Sequence, residues 1–240
     1  MNYMNYKKLL CALVLSILGY YPIKVWAQKE FYAGLRALPQ ASFLISSADK
    51  DSGLTRTLSL GYAGGIAVGQ NFSKHVGFEF SALYSKQGQN YDRKAPKGGA
   101  DTTTLKEKTE LTYLKIPMLL RYFTPLPFAG RRLHFAAHFG PQVGILLDMK
   151  QYQEGAALPE NVPYSRYIKR KDFFNPTEIH LAGGLGLEYT PTPQFLITIL
   201  TRADYSLIDA LDKTLKTPGQ PNANNLTLGI MLGFSYSINK

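Results

Sequence analysis

His134 and His138 stand four residues apart in LHFAAHFG. On a helix that spacing sets two metal ligands on one face. On a strand the pair would share a face but lie ~13 Å apart, at about 3.3 Å per residue. Zn–N bonds are about 2 Å long, so one ion could not reach both, and lumen-facing or core filler is the stronger reading. His180 beside Glu178 reads the same way. Ser81, either His134 or His138, and Glu79 or Glu188 supply the residue types of a Ser–His–carboxylate hydrolase. No spacing brings them together, and the Gly-x-Ser-x-Gly elbow is missing. Gly184-x-Gly186 and the Gly61, Gly64, Gly65 group look like nucleotide loops, but neither opens a helical pattern. Asn71-Phe72-Ser73 matches a glycosylation sequon and reads better as a turn. The single cysteine, Cys11, lies in an N-terminal apolar run, so residues 28–240 hold no disulfide, thiolate ligand or thiol nucleophile. Spacing therefore points to no catalytic, cofactor-binding or metal set.

The remaining residues able to do chemistry are charged, and their meaning depends on the elements that carry them. In residues 225–238 Leu226, Leu228, Ile230, Leu232, Phe234, Tyr236 and Ile238 take every second place. Asn225, Thr227, Gly229, Met231, Gly233, Ser235 and Ser237 lie between them. A strand sends alternate side chains to opposite faces, giving one bulky apolar face and one small, mostly polar face. Such a pattern suits a transmembrane barrel, greasy toward lipid and small toward the centre. Thirteen residues at about 3.3 Å each, tilted by about 45°, cross roughly 30 Å, the thickness of a hydrocarbon core. A soluble barrel or sandwich packed on its apolar side fits this one segment equally well.

The connections separate the two. Strand-like segments fall at 31–38, 58–70, 76–85, 111–123, 133–147, 179–189, 194–206 and 225–238. The stretches joining them run alternately long and short, the long ones at 46–57, 88–108, 148–176 and 209–224. Antiparallel up-and-down neighbours would collect all short turns at one end and all long loops at the other, as outer-membrane barrels do. The expected fold is an eight-stranded antiparallel up-and-down transmembrane β-barrel with short periplasmic turns and long extracellular loops. Closure would also leave no unpaired edge in the bilayer. Tyr84, Tyr122, Tyr189, Tyr205 and Tyr236 fall near ends of the apolar runs, where amphipathic rings suit a membrane interface.

Residues 1–27 read as a signal peptide. Lys7 and Lys8 precede an apolar run, and Val25-Trp26-Ala27 offers a cleavage site before Gln28. Residues 28–240 then form the barrel domain. The chain of 240 residues carries a net charge of +10, and Lys7, Lys8 and Lys24 lie in the leader. An exported basic chain meets lipid phosphates and acidic glycans, not nucleic acid.

LTYLKIPMLLRY at 111–122, GPQVGILL at 140–147 and AGGLGLEY at 182–189 resemble, in order and spacing, the PorT-like outer-membrane β-barrel family of the Bacteroidetes. The YLKIPMLL core is the most specific piece. The resemblance spans about residues 29–240 and implies an eight-stranded barrel in a Gram-negative outer membrane. It brings no enzymatic residues and no cofactor. Some members act with the type IX secretion apparatus; that role is not transferred, and a protein partner in the envelope, secretion apparatus included, stays open. The chain ends Ile238-Asn239-Lys240, without the terminal aromatic that often signals barrel assembly, and Tyr236 or Phe234 could stand in for it.

On these strands Arg36, Glu79, Lys115, Arg121, Glu188, Arg202 and Asp204 have inward parity. Buried charges persist only when paired, so a lumen charge network is expected, with Glu79 serving Lys115 or Arg121 on the neighbouring strand. An eight-stranded barrel is just wide enough for such side chains to fill. Arg93, Lys94, Lys97, Lys169, Arg170 and Lys171, with Lys106, Lys108 and Arg166, make the long loops basic, a patch suited to lipopolysaccharide phosphates or an acidic partner. The expected function is non-enzymatic, structural or interactive, around a plugged, porin-like barrel. A narrow channel, a barrel-embedded lipid-modifying hydrolase and a soluble lipocalin-like carrier are the alternatives.

Overall fold

The computed structural model describes residues 30–46, 55–96, 102–126, 132–154, 174–210 and 222–238. The proposed leader and the loop residues Lys97, Lys169, Arg170 and Lys171 lie outside them. Nine strand segments follow one another: β1 (Phe31–Ser46), β2 (Thr55–Thr57), β3 (Ser59–Asn71), β4 (Val76–Pro96), β5 (Thr102–Pro125), β6 (Leu133–Glu154), β7 (Thr177–Tyr189), β8 (Phe195–Ser206) and β9 (Ala223–Ser237). All pairings are antiparallel, and β1 pairs with both β3 and β9. β4 pairs with β5, so the sheet closes on itself. β2 and β3 occupy one place in the wall. Thr57 faces Asn90 and Tyr62 faces Lys86, so the pair runs one residue longer than its partner, a bulge around Leu58. The barrel thus has eight strand positions.

Its stagger can be followed from Phe31. The register passes through Gln70, Phe78, Leu120, Phe139, Gly183, Ala203 and Leu228, and returns to β1 at Ala41. A displacement of ten residues over eight strands fixes a tilt of roughly 35–45° and an interior of side-chain width.

Side chains alternate as the pleat demands. Leu228, Ile230 and Leu232 are exposed on the outer wall, whereas Met231 and Ser235 are buried. Leu35, Leu60, Ile66, Phe139, Leu185 and Ile199 extend the same apolar outer belt. The five tyrosines noted above also face outward.

Two features depart from the sequence reading. First, the strands outrun the apolar alternation. β4 and β5 stay paired from Gly88 and Glu110 out to Pro96 and Thr102, so most of the expected 88–108 loop is a hairpin extension. β1, β6 and β9 are likewise longer than their apolar runs. A ribbon above the membrane keeps its backbone hydrogen bonds without needing an apolar face, so periodicity does not mark it. Secondly, the inner face is not uniformly small and polar. Leu38, Ala63, Leu83, Ala136, Leu200 and Met231 form a buried apolar layer inside the barrel. A further buried apolar group, Leu111, Tyr113, Leu146, Met149, Phe174 and Ala210, lies toward the long-loop end. Apolar side chains can fill a narrow interior without requiring partners.

Candidate functional site: the charged interior

The buried charged residues of the described strands fall into two groups separated along the barrel, whereas Gln40 and Ser42 on β1 bond to Ser85 and Gly88 on β4. Toward the short-turn end, Arg36 on β1 grips Glu79 on β4 side-on, Nε to Oε1 at 3.2 Å and Nη2 to Oε2 at 2.6 Å. That fork is the strong form of a carboxylate–guanidinium contact. The Tyr32 hydroxyl and the Ser81 hydroxyl also donate to Glu79, at 3.1 and 3.3 Å. Arg36 further donates to Ser235 at 2.8 Å. Gly69 makes room here: a β-carbon on it would collide with the Tyr32 ring and hydroxyl.

Arg121 on β5 completes this group. It donates to Glu188 on β7 and to Tyr32, both at 2.6 Å, and to Asn71 at 3.2 Å. Its guanidinium also lies 4.7 Å from the Tyr32 ring centre and 5.4 Å from that of Phe123, within cation–π range. His138 Nε2 meets the same Glu188 oxygen at 3.3 Å.

Toward the long-loop end, Lys115 donates to Asp204 at 3.2 Å and to Thr227 at 3.3 Å. Arg202 donates to the other Asp204 oxygen at 2.8 Å, to Gln142 at 2.8 Å and to the Met231 sulfur at 3.7 Å. Beyond them Glu178 accepts from Tyr113 at 2.5 Å and from Asn225 at 2.8 and 3.0 Å. His180 Nε2 lies 3.3 Å from Glu178.

Among the described strand residues, the buried charges are therefore Arg36, Lys115, Arg121 and Arg202 against Glu79, Glu178, Glu188 and Asp204. Each of the four cations meets a carboxylate, Lys115 and Arg202 sharing Asp204, while Glu178 is held by the neutral donors Tyr113 and Asn225. All seven charged residues read inward from sequence lie in these groups. Their partners differ from the expectation, however: Glu79 is held by Arg36, Arg121 by Glu188 and Lys115 by Asp204. Glu178, Tyr32, Tyr113, Gln142 and Asn225 are members that the sequence reading misses. Glu178 is legible in principle, since it keeps the parity of His180 and Glu188 and directly precedes the apolar run of 179–189.

The other candidates separate. Ser81 engages Glu79 and His138 engages Glu188, and no hydrogen bond joins Ser81 to His138 among the described residues. His134 packs edge-on to Phe123, with ring centres 6.3 Å apart. Among the described residues no three His, Cys, Asp or Glu gather as a metal cage. In the basic patch, Arg93 and Lys94 belong to the β4 extension, paired with Leu105 and Thr104. Lys108 forms an exposed 2.7 Å pair with Glu110.

Residues 26–212 match the family described as "Outer membrane protein beta-barrel domain". The chain belongs to that family. It is accordingly an outer-membrane β-barrel, and its apolar belt faces the hydrocarbon of that membrane. The three tight connections face the periplasm and the long ones face outward.

Several solved structures are similar to it at low identity. Ail of Yersinia pestis, in complex with the heparin analogue sucrose octasulfate, is 14% identical, with 86% of this chain and 99% of that one covered and a TM-score of 0.39. A major outer membrane protein of Thermus thermophilus is 12% identical over 88% and 100% of the two chains, with a TM-score of 0.47. OprG of Pseudomonas aeruginosa is 15% identical over 88% and 96%, with a TM-score of 0.38. Comparison with curated proteins gave no significant match.

Proposed function

We propose that this outer-membrane barrel is non-enzymatic and plugged, and that it acts as a structural or interaction protein through its outer loops. One observation supports the plug above all. Two groups of buried ion pairs are separated by the apolar layer of Leu38, Leu83, Leu200 and Met231. A hydrated ion entering from either end would have to break buried pairs and then shed water among leucines. The hydrolase alternative has less support, because Ser81 and His138 are spent on different carboxylates. The PorT-like resemblance of 111–122 makes an envelope protein the natural partner. The basic residues Arg93, Lys94, Lys97, Lys169, Arg170 and Lys171 suit phosphate-rich lipopolysaccharide at the outer face.

Two measurements test the reading. The purified barrel should give no single-channel steps in planar bilayers, and frequent steps would replace the plug with a channel. Lipopolysaccharide vesicles should bind the barrel in a salt-dependent manner, and Lys169, Arg170 and Lys171 changed together to Glu should weaken that binding at least tenfold. Unchanged binding by the triple variant would remove the loop role.

A further inference from the structure

The outer wall of β4 carries a cation that its neighbours leave unmatched. Phe78, Phe80, Ala82 and Tyr84 face outward along the strand, and Lys86 is the first charge beyond them on that face. Further out on the adjoining strands the charges cancel in pairs. Lys108 meets Glu110 at 2.7 Å, and Lys150 meets Asp148 at 3.9 Å. Among the described residues Lys86, which is exposed, has no carboxylate partner.

The register sets hydroxyls around that ammonium. Tyr62 on β3 and Thr112 on β5 are its cross-strand partners, and Tyr84 lies two residues back on the same face. Cross-strand neighbours stand about 5 Å apart at their β-carbons, and next-but-one residues along a strand about 7 Å apart. Both tyrosines are exposed, and none of the three hydroxyls has a hydrogen-bond partner among the described residues. The main chain beneath them is held from within. Gln40 Nε2 donates to Lys86 O at 3.3 Å, and a β-carbon on Gly61 would collide with that same carbonyl. A rigid backbone thus presents four free polar side chains on one small area of the outer wall.

Position decides which anion fits. A lysine at the end of an apolar run lays its stem along the hydrocarbon and lifts its head to the polar boundary. A ligand there needs an anionic head beside Lys86 and apolar chains along the wall beneath it. Free phosphate and an acidic peptide supply only the first part. A phosphate ester can accept from an ammonium and from several hydroxyls at once, and its contact with the ammonium is charge-assisted. The long loops of an outer-membrane barrel lie on the outer side, so this end of β4 meets the lipopolysaccharide leaflet.

We infer that Lys86, with Tyr62, Tyr84 and Thr112, binds a lipid A phosphate of that leaflet, with the acyl chains lying along Phe80 and Ala82. The inference rests on the outer-membrane placement and deepens the lipopolysaccharide contact proposed above. It places that contact on the wall of the barrel, independently of the loops.

The test is native mass spectrometry of the delipidated barrel in detergent with lipid A added. The wild type should retain lipid A. Lys86→Gln should cut retention about tenfold, the effect of losing one charge-assisted contact. Lys86→Arg, which keeps the cation, should retain most of it, and neither substitution touches the interior. Dephosphorylated lipid A and phosphatidylglycerol should bind the wild type no better than lipid A binds Lys86→Gln. Lys150→Gln, which removes a cation already paired with Asp148, should leave retention unchanged. So should the variant with Lys169, Arg170 and Lys171 changed to Glu. Wild-type retention by Lys86→Gln, or equal retention of dephosphorylated lipid A, would overturn the site. Equal retention of phosphatidylglycerol would overturn lipid A as the ligand. Loss in the loop variant without loss in Lys86→Gln would overturn the wall site and leave the loop reading standing.

Discussion

Lys115 and Asp204 meet at 3.2 Å although their strands, β5 and β8, are separated by two others around the wall. Neither side chain is exposed beyond 1%. The pair is a strut across the interior, and Thr227 on β9 extends it to the strand opposite β5. Lys115→Met would leave Asp204 with Arg202 and Gln142 but would remove one of two cations from its side. Removing one partner of a buried pair costs about 3–5 kcal/mol. The variant should therefore unfold at markedly lower urea concentration in lipid vesicles. Lys115→Met combined with Asp204→Leu should not simply add the two losses, and strict additivity would show that the strut carries no coupling.

Glu79 is the acceptor for Arg36, Tyr32 and Ser81 together. Glu79→Ala strands a guanidinium in the interior and should be as damaging as the Lys115 variant. Ser81→Ala removes one neutral donor and should cost only about 1 kcal/mol. Heat-induced mobility shifts on gels would rank the two, and equal stability of Glu79→Ala and wild type would contradict the fork as a structural element.

On the outer wall, Ile230 is half-way along β9 and faces lipid, while Tyr236 lies near its end. An arginine at the bilayer midplane costs about 2–4 kcal/mol and one near the interface about 0–1. Ile230→Arg should thus destabilise the barrel in vesicles far more than Tyr236→Arg. Equal effects would mean that the belt is centred elsewhere.

The apolar layer can be tested apart from the charges. Leu83→Ser with Leu200→Ser replaces two of its largest members with hydroxyls that hydrate readily. Small, brief conductance steps should appear in planar bilayers where the wild type is silent. Continued silence would place the barrier in the charge groups instead.

Much of this is readable from parity. The alternation of Leu226 to Ile238 marks which face is greasy, and the same rule turns Arg36, Glu79, Lys115, Arg121, Glu188, Arg202 and Asp204 inward. Partner choice is not readable, because it depends on stagger. Adjacent strands suggest Lys115 or Arg121 for Glu79, whereas the ten-residue displacement brings Arg36, two strands away, to the level of Glu79. Parity also hides inward leucines when attention is on polar residues: Leu83 and Leu200 break a run of glycine, serine and charge without breaking the period. The β4–β5 extension has no apolar alternation in residues 88–96 or 102–110, so periodicity does not mark it.

The pairing of β1 with β9, Tyr32 opposite Ser237 and Ser46 opposite Ala223, joins the beginning of the wall to its end. A polypeptide stopped before Ala223 would present two raw margins, one on β1 and one on β8, each a ladder of unmet amides. The cylinder can therefore be sealed only after the last strand arrives, and until then both margins need cover from something other than each other.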